Sequence, residues 1–330
     1  MSMTNKIPVV SVVGPTASGK TKIGVMLAKM LDGEVVSADS MQIYRDMDIA
    51  TAKPTQEETD GIPHHLIGFL PPEDSFSVVR YVELAKKIIT DIHARDKLPI
   101  LVGGTGLYVD SLLNNIQFAD NDSDDKLRLE LRQKAEREGV GALVEELRQF
   151  DPESAERIEP QNIKRLIRAI EIYRTTGITM TEQNRQSRLL ETPYCSVKIG
   201  LKAKDRQFLY DRINKRVDIM AQNGLIDEAK EILSRKCSPT AEKAIGYKEL
   251  SAYFNGAVSL QEALDELKKQ TRHYAKRQLT WFMRDKEICW FDIDTFSDTY
   301  ELEKSVLDYT KQELVKLSCF NLKFWGQTND

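Results

Sequence analysis

Short apolar runs alternate with helical patterns along the first third of the chain. The runs have the length of buried strands, and the segments between them repeat their apolar residues with helical spacing. We predict strands at 8–13, 34–38, 65–70 and 98–102 and helices at 20–31 and 78–93. Strands separated by helices are typical of parallel βαβ units, so the pattern predicts an α/β fold whose parallel sheet is flanked by helices.

The pattern changes after Leu113, where the polar run NDSDD at 121–125 opens a charge-rich region of helical periodicity that reaches about residue 188. Beyond it we predict strands at 194–201 and 288–293 and helices at 205–223, 225–235, 259–284 and from 299. This order predicts a core made of residues 1–118 and 194–296, with a helical C-terminal part. Residues 119–193 would form an all-helical insertion domain, and 297–330 a C-terminal helix and tail.

Composition is that of a soluble globular protein. The chain has 330 residues, of which 41% are hydrophobic and 30% charged, and its net charge is -4. No apolar run approaches the length of a membrane span, and the N-terminal residues do not have the pattern of a signal peptide. The four cysteines form no C-x-x-C pair, which argues against a zinc site. We expect a cytoplasmic protein without membrane contact. We also expect a monomer, since the sequence shows no apolar stripe beyond those that a core would use.

The segment GPTASGKT fits the phosphate-binding pattern G-x-x-x-x-G-K-[ST]. It follows a predicted strand and precedes a predicted helix, which favours a phosphate-binding loop over a glycine turn that binds nothing. In such a loop the backbone N–H groups and the lysine hold a phosphate, and the Thr21 hydroxyl can bind Mg²⁺. By motif, the expected diphosphate- or nucleotide-binding residues are Gly14, Pro15, Thr16, Ala17, Ser18, Gly19, Lys20 and Thr21.

Two further strand ends carry candidate chemistry. Asp39 is the one obvious carboxylate after a predicted strand, and it could hold magnesium through water or take a proton from a substrate. It could also only cap the turn before Met41. After the strand at 98–102, the sequence GGTG lacks the third glycine of a dinucleotide site but would let the Thr105 hydroxyl reach a ligand at the start of a helix.

Two clusters of basic residues stand out on this acidic chain. Residues 268–284 contain six lysines and arginines and no acidic residue, interleaved with Tyr274, Trp281 and Phe282. The predicted insertion adds Arg157, Lys164, Arg165, Arg168 and Arg174. The cluster at 268–284 could be a solvated face over ordinary core aromatics. Two together favour a polyanionic partner larger than a nucleotide, such as nucleic acid.

Taken in order, these segments resemble the bacterial tRNA dimethylallyltransferases over nearly the whole chain. The resemblance is carried by GPTASGKT, ADSMQIYRDMDIATAKP at 38–54, PHHL at 63–66, LVGGTGLY at 101–108, DPESAERIEP at 151–160 and KRQLTWF at 276–282. It implies a P-loop NTPase-like core. It also implies transfer of a dimethylallyl group from dimethylallyl diphosphate to the N6 amine of the adenosine 3′ of the anticodon, in tRNAs that read codons beginning with U. The loop would then hold a pyrophosphate leaving group, without ATP hydrolysis.

The resemblance also implies roles for individual residues. Asp39 would be the general base, with Thr105, Lys20 and Arg216 as further catalytic groups, Arg212 near the diphosphate and Mg²⁺ on Thr21. Contacts with the tRNA anticodon stem-loop are implied for Asp39, Ser40, Met41, Gln42, Thr105, Arg128, Gln161, Asn162, Ile163, Lys164, Arg165, Lys276, Arg277 and Gln278.

The chain departs from the family pattern at three places. Ala50 stands where a glycine is frequent, Gln161-Asn162 replaces Asn-Asp, and Met283 replaces an arginine. Two other classes of function remain as alternatives. A P-loop small-molecule kinase would consume ATP, but it leaves the basic clusters and the insertion unexplained. An RNA-binding protein without catalysis would explain the clusters but not the loop.

Overall fold

The computed structural model describes residues 6–118 and 124–317. The chain forms two compact units. One contains the residues up to Leu113 together with those from Thr192 onward, and the other is the continuous segment Asn114–Glu191. In the part of the chain that is described, every helix is too short or too polar to cross a membrane.

The first half of the larger unit alternates strands and helices as the apolar pattern predicts. Its elements are β1 (Ile7–Val13), α1 (Lys20–Met30), β2 (Gly33–Ser37), α2 (Gln56–Thr59), β3 (His64–His65), α3 (Val78–Ala94), β4 (Leu98–Gly103) and α4 (Gly106–Leu113). β1, β2 and β4 are almost completely buried, because in a parallel sheet helices cover both faces of the strands.

The rest of this unit returns to the sheet once and then becomes mostly helical. It comprises β5 (Tyr194–Lys202), α10 (Arg206–Gln222), α11 (Leu225–Ser234), α12 (Tyr247–Phe254), α13 (Leu260–Phe282), β6 (Cys289–Asp292) and α14 (Thr299–Lys316). The described strands form one six-stranded, all-parallel sheet with the order β3-β2-β4-β1-β5-β6. The predicted α/β fold with a parallel sheet flanked by helices is confirmed.

The third predicted strand is shorter than the apolar run at 65–70 suggests. Only His64–His65 pairs with β2, and Leu70 makes an isolated bridge to Tyr44. Leu66 has a φ of 61° and Gly68 a φ of 57°, both in the left-handed region, which cannot continue a strand. The run is apolar because Leu66 and Leu70 are buried. In this segment the apolar residues therefore indicate burial but not a strand.

Strand order places three loops at one edge of the sheet. β4 lies between β2 and β1, with Ser37 paired to Val102 and Val13 paired to Gly103 at the carboxyl ends. In open α/β sheets, ligands bind outside this edge of the strands. The segments that follow β1, β2 and β4 are the GPTASGKT loop, Asp39 and the GGTG sequence, so the fold brings the three predicted features together.

In the described part of the smaller unit, residues 114–118 and 124–191, all regular elements are helices. Its helices are α5 (Asp125–Glu138), α6 (Val140–Phe150), α7 (Pro152–Arg157), α8 (Ile163–Thr176) and α9 (Met180–Gln186). Leu131, Leu143, Leu147, Leu166 and Ile170 form the centre of its core. Asn162 caps α8 by accepting a hydrogen bond from the N–H of Arg165, so asparagine performs the capping role at this departure from the family pattern.

Candidate active site

A cavity of about 310 Å³ opens beside the carboxyl ends of β1, β2 and β4. Polar and charged groups from the three loops line it together with apolar side chains from α10, α11 and α13. The polar lining includes Thr16, Lys20, Thr21, Asp39, Ser40 and Arg216, and the apolar lining includes Met41, Val217, Met220, Leu225 and Leu267. One cavity therefore offers cations, a carboxylate and an apolar wall.

The loop between β1 and α1 has the properties of an anion site. Among the described residues, no protein acceptor is recorded for the backbone amides of Gly19, Lys20 and Thr21. These amides lie at the N-terminus of α1, where the helix dipole favours negative charge. The Ser18 hydroxyl is buried and has no hydrogen-bond partner in the same described part. The donor set therefore fits a phosphate group.

Lys20 is held at this loop by its own chain. Its Nζ donates a hydrogen bond of 2.7 Å to the carbonyl of Pro15. Burial and, to a smaller extent, the neighbouring Arg216 together lower the pKa of Lys20 to about 7, although Asp39 partly opposes them. In the free protein the ammonium is therefore destabilised, and an anion in the cavity would restore its charge.

Two arginines one turn apart on α10 reach the same loop. The Arg216 guanidinium donates to the Thr16 hydroxyl at 3.1 Å and lies 3.5 Å from the carbonyl of Ala52. Arg212 donates from Nε to the carbonyl of Ala17 at 2.8 Å. In the described part of the chain, neither arginine forms an ion pair with a carboxylate, so both keep charge available for an anionic ligand.

Asp39 combines the two roles that the sequence left open. Its Oδ1 accepts hydrogen bonds from the N–H groups of Met41 at 2.9 Å and Gln42 at 3.3 Å, which is the turn cap. Within residues 6–118 and 124–317, no partner is recorded for Oδ2, and Asp39 lines the cavity. The cap fixes the carboxylate through one oxygen and leaves the other for a ligand.

Thr105 connects the loop after β4 to the loop after β2. Its Oγ1 accepts from the N–H of Ser40 at 2.9 Å and donates to the Ser40 hydroxyl at 3.2 Å. The N–H of Thr105 also donates to the carbonyl of Ala38 at 3.0 Å. Thr105 thus fixes the backbone on either side of Asp39 and holds the carboxylate in place.

Residues 50–52 line the cavity, and Glu228 on α11 holds the start of this loop. Its carboxylate accepts from the N–H groups of Asp48, Ile49 and Ala50 at 2.7–2.8 Å and from the Tyr247 hydroxyl at 2.9 Å. The left-handed position in this loop is Ala52, with a φ of 50°, and not Ala50. Ala50 does not adopt the left-handed conformation that favours glycine, so alanine fits at this position. Sequence reasoning missed Glu228, because the helical pattern of α11 gives no sign of this long-range capping.

Two predicted tRNA contacts use their amides inside the protein. Gln42 donates to the carbonyls of Thr51 and Ala52 at 3.2 and 3.0 Å. Gln278 has a relative exposure of 5% and bonds to the backbone at Thr16 and Gly104. A direct readout of tRNA by these amides would have to break those bonds, which connect backbone segments around the site.

The basic run on α13 is partly neutralised in the structure. Lys268 pairs with Asp218, Lys269 with Glu266, and Arg272 bonds to Asn214. Further along, the guanidinium of Arg277 lies 5.6 Å from the ring centre of Tyr274, and that of Arg284 lies 4.9 Å from that of Trp281. In the described chain no ion pair is recorded for Lys276. In the described chain, the basic residues of this run without an ion pair are therefore Arg272, Lys276, Arg277 and Arg284.

The basic cluster of the smaller unit is reduced in the same way. Arg128 and Arg168 bind the fully buried Glu171, and Arg174 bonds to Glu146 and Glu130. Arg128 was implied as a tRNA contact, and it is half-buried in this ion pair. Lys164 and Arg165 have no recorded ion pair among the described residues, and they lie with Gln161, Asn162 and Ile163 at the start of α8.

The lowered pKa of Lys20 predicts that pyrophosphate binding takes up a proton. A pKa of about 7 leaves Lys20 mostly neutral at pH 8, whereas a bound anion favours its charged form. Titration calorimetry at pH 8 in two buffers of different ionisation enthalpy should show up to one more proton taken up by the unsubstituted protein than by Lys20→Met. At pH 6, where Lys20 is already charged, this difference should disappear. Equal uptake by both proteins at pH 8 would contradict the prediction.

Comparison with known proteins gives a consistent result. A family model described as IPP transferase matches residues 42–285, and one described as isopentenyl transferase matches residues 7–67. A tRNA dimethylallyltransferase of Halalkalibacterium halodurans is 51% identical over 289 residues, covering 87% of this chain and 92% of the relative. One of Bacillus subtilis is 46% identical over 310 residues, covering 94% and 98%.

Solved structures agree with the sequence relatives. The tRNA isopentenylpyrophosphate transferase of Bacillus halodurans has a TM-score of 0.72 and 47% identity, covering 95% of this chain and 98% of that one. A eukaryotic dimethylallyltransferase described as acting on tRNA has a TM-score of 0.81 at 26% identity, covering 94% and 80%. The likeness thus spans both compact units of the chain.

Proposed function

This chain belongs to the IPP transferase family, and from that premise we propose the reaction that its cavity performs. The protein transfers a dimethylallyl group from dimethylallyl diphosphate to the N6 amine of the adenosine 3′ of the anticodon, in tRNAs that read codons beginning with U. The products are N6-dimethylallyladenosine and pyrophosphate. The kinase alternative is not favoured, since the matching relatives are tRNA dimethylallyltransferases.

One observation carries the proposal, namely the mixed lining of the cavity. The loop at 14–21, Lys20 and Arg216 supply an anion site beside Asp39, and Val217, Met220 and Leu225 supply an apolar wall. Dimethylallyl diphosphate has a charged diphosphate and a small apolar tail, so it matches this lining. A kinase acting on a small polar acceptor would have no use for the apolar wall.

Bond cleavage is assisted by the anion site. The bond between the allylic carbon and the diphosphate oxygen breaks as the adenine N6 forms a bond to that carbon, and the electron pair leaves with pyrophosphate. Negative charge on the leaving oxygen grows during this step. The amides of the loop, Lys20 and Arg216 stabilise that charge more strongly in the transition state than in the substrate, which lowers the barrier.

Asp39 accepts the proton that the amine must lose. An adenine amine is a weak nucleophile because its lone pair is delocalised into the ring, and alkylation leaves one proton in excess on N6. The free Oδ2 of Asp39 is the acceptor, while Oδ1 keeps the turn cap that orients the carboxylate. The base must leave the anticodon stack to enter the cavity, as in other enzymes that modify a base.

We propose Mg²⁺ as the cofactor. Within the described residues no group of three metal-binding side chains exists, so the protein alone makes no closed site. This fits Mg²⁺, which keeps waters and shares substrate phosphates with one or two protein ligands. The Thr21 hydroxyl lines the cavity and would hold the ion with the diphosphate. When bound, the ion neutralises diphosphate charge.

Assignments outside the cavity follow from the same proposal. The anticodon stem-loop would contact Lys276 and Arg277 on α13 and residues 161–165 at the start of α8. Four of these residues, Lys164, Arg165, Lys276 and Arg277, are basic and form no ion pair in the described part of the chain, so they are available to phosphates. The protein would act as a monomer in the cytoplasm.

The proposal is tested by incubating the purified protein with Mg²⁺, dimethylallyl diphosphate and an unmodified tRNA whose anticodon ends in A, without ATP. Nucleoside mass analysis should show one adenosine that has gained a dimethylallyl group. A parallel reaction with ATP and no dimethylallyl diphosphate serves as control. Accumulation of ADP there, with no modified adenosine in the first reaction, would support a kinase instead.

A further inference from the structure

One face of α13 packs against the loops of the site. Tyr274, Gln278 and Trp281 are spaced four and three residues apart, so they lie on the same side of the helix. Trp281 donates from its indole Nε1 to Asp110 on α4 at 2.7 Å. Gln278, in the middle of this face, is almost completely buried. Arg277 borders this face, with its guanidinium against the ring of Tyr274, whereas Lys276 lies on the other side of the helix.

The amide of Gln278 joins two of the three loops. Its Oε1 accepts from the N–H of Thr16 in the loop after β1 at 2.8 Å, and its Nε2 donates to the carbonyl of Gly104 after β4 at 3.0 Å. The donor and the acceptor of the amide are therefore both used by backbone groups of the site. A buried amide with both ends satisfied orients its partners strongly, because breaking either bond leaves a buried polar group unpaired.

Close packing around this face explains two glycines of the GGTG sequence. A Cβ on Gly104 would lie 2.1 Å from Nε2 of Gln278, and a Cβ on Gly106 would lie 2.2 Å from Cδ1 of Trp281. Side chains at these positions would push α13 away from the loop. Glycine at these two positions therefore allows α13 to pack closely against the loop, and it also leaves Thr105 accessible to a ligand.

We infer that Gln278 is a positioning residue of the diphosphate site. It acts by fixing the position of the loop at 14–21 relative to the loop after β4. The inference rests on the proposed function for the identity of the ligand. It differs from the role in tRNA contact that the family resemblance implies for this residue, and the two roles predict different defects.

The geometry gives the reason why pyrophosphate binding would depend on Gln278. Thr16 is held from both sides, by Gln278 at its N–H and by Arg216 at its hydroxyl. Without the amide, the N–H of Thr16 and the carbonyl of Gly104 lose their partners. The start of the loop is then free to shift, and the amides further along must be reordered when the anion binds, which weakens binding.

The test compares two binding measurements on Gln278→Leu. Titration calorimetry with inorganic pyrophosphate and Mg²⁺, without tRNA, should show an affinity reduced about tenfold, which corresponds to about 1.4 kcal/mol. Fluorescence anisotropy with labelled anticodon stem-loop, without diphosphate, should show unchanged affinity and unchanged salt dependence. Pyrophosphate affinity within twofold of the unsubstituted protein, together with weakened RNA binding, would overturn the inference and make Gln278 an RNA contact.

Two further variants make the test independent of a single substitution. Gly104→Ala displaces the Gln278 amide from the opposite side, so it should reproduce the loss of pyrophosphate affinity even if Gln278→Leu folds poorly. Lys276→Ala, two residues away, should show the reverse pattern, with weaker RNA binding, a smaller salt slope and unchanged pyrophosphate affinity. If Gly104→Ala binds pyrophosphate normally, the assignment is wrong.

The unsubstituted protein separates this inference from the proposed function. Pyrophosphate binding that is present in the unsubstituted protein and survives both substitutions overturns the positioning role alone. Absence of pyrophosphate binding in the unsubstituted protein would overturn the proposed function, and the positioning role with it.

Discussion

Asp39→Asn should lower the turnover number by a factor on the order of 10² or more, the usual contribution of a general base. An asparagine amide cannot accept the proton from N6, but its oxygen can still accept the hydrogen bonds from Met41 and Gln42. The turn should therefore survive, and the affinities for pyrophosphate and tRNA should stay within a few fold of those of the unsubstituted protein. Single-turnover kinetics with saturating substrates measures the chemical step directly.

A comparison with Asp39→Ala distinguishes the role of Asp39 as general base from its role as cap of the turn. The alanine variant removes both functions, so its thermal unfolding temperature should fall below that of Asp39→Asn, since loss of a capping side chain costs about 1 kcal/mol. Its turnover should be as low as that of Asp39→Asn. Normal turnover in Asp39→Asn with a loss only in Asp39→Ala would show that the carboxylate serves the turn and not the proton transfer.

The loop, Asp39 and Thr105 were predictable because each follows a short buried apolar run. A parallel sheet places the carboxyl ends of such runs at one edge, and the order β2-β4-β1 makes these three ends neighbours. Local sequence therefore contained the components of the cavity. The structure adds how they are fixed, through the Ser40–Thr105 bonds and the cap at Asp39.

Interactions between residues far apart in sequence could not be predicted. Glu228 caps residues 48–50 across about 180 positions, and Gln278 reaches Thr16 across 262. The ion pairs within the basic cluster of the smaller unit were hidden for the same reason, since Arg174 meets Glu130 and Glu146 only after that unit folds. A charge run in a sequence counts cations, but only the folded chain shows which of them keep a free charge.

Arg216→Gln should reduce kcat/KM by about 10²–10³-fold without reducing the stability of the free protein. The half-buried guanidinium bonds only to neutral oxygens, of Thr16 and Ala52, and no carboxylate pairs with it in the described chain. Burial lowers the pKa of Arg216, and the carboxylates of Glu58 and Asp39 oppose this effect only in part. Removing such a charge costs the fold little, whereas removing a donor aimed at a developing oxyanion costs the reaction about 3 kcal/mol.

Urea unfolding with and without pyrophosphate provides the decisive comparison for Arg216. A ligand that binds only the folded state raises the free energy of unfolding, so the unsubstituted protein should gain stability with pyrophosphate and Arg216→Gln should gain much less. Arg212→Gln is the matched control, one turn earlier on α10 and exposed, where solvent screens the charge and the loss should be about tenfold or smaller. A large loss of stability in ligand-free Arg216→Gln would contradict this account, because it would show that the guanidinium holds Thr16 and Ala52 together in the fold. If Arg216→Gln keeps the stability of the free protein but is no longer stabilised by pyrophosphate, the charge of Arg216 serves to bind the leaving group and not to stabilise the fold.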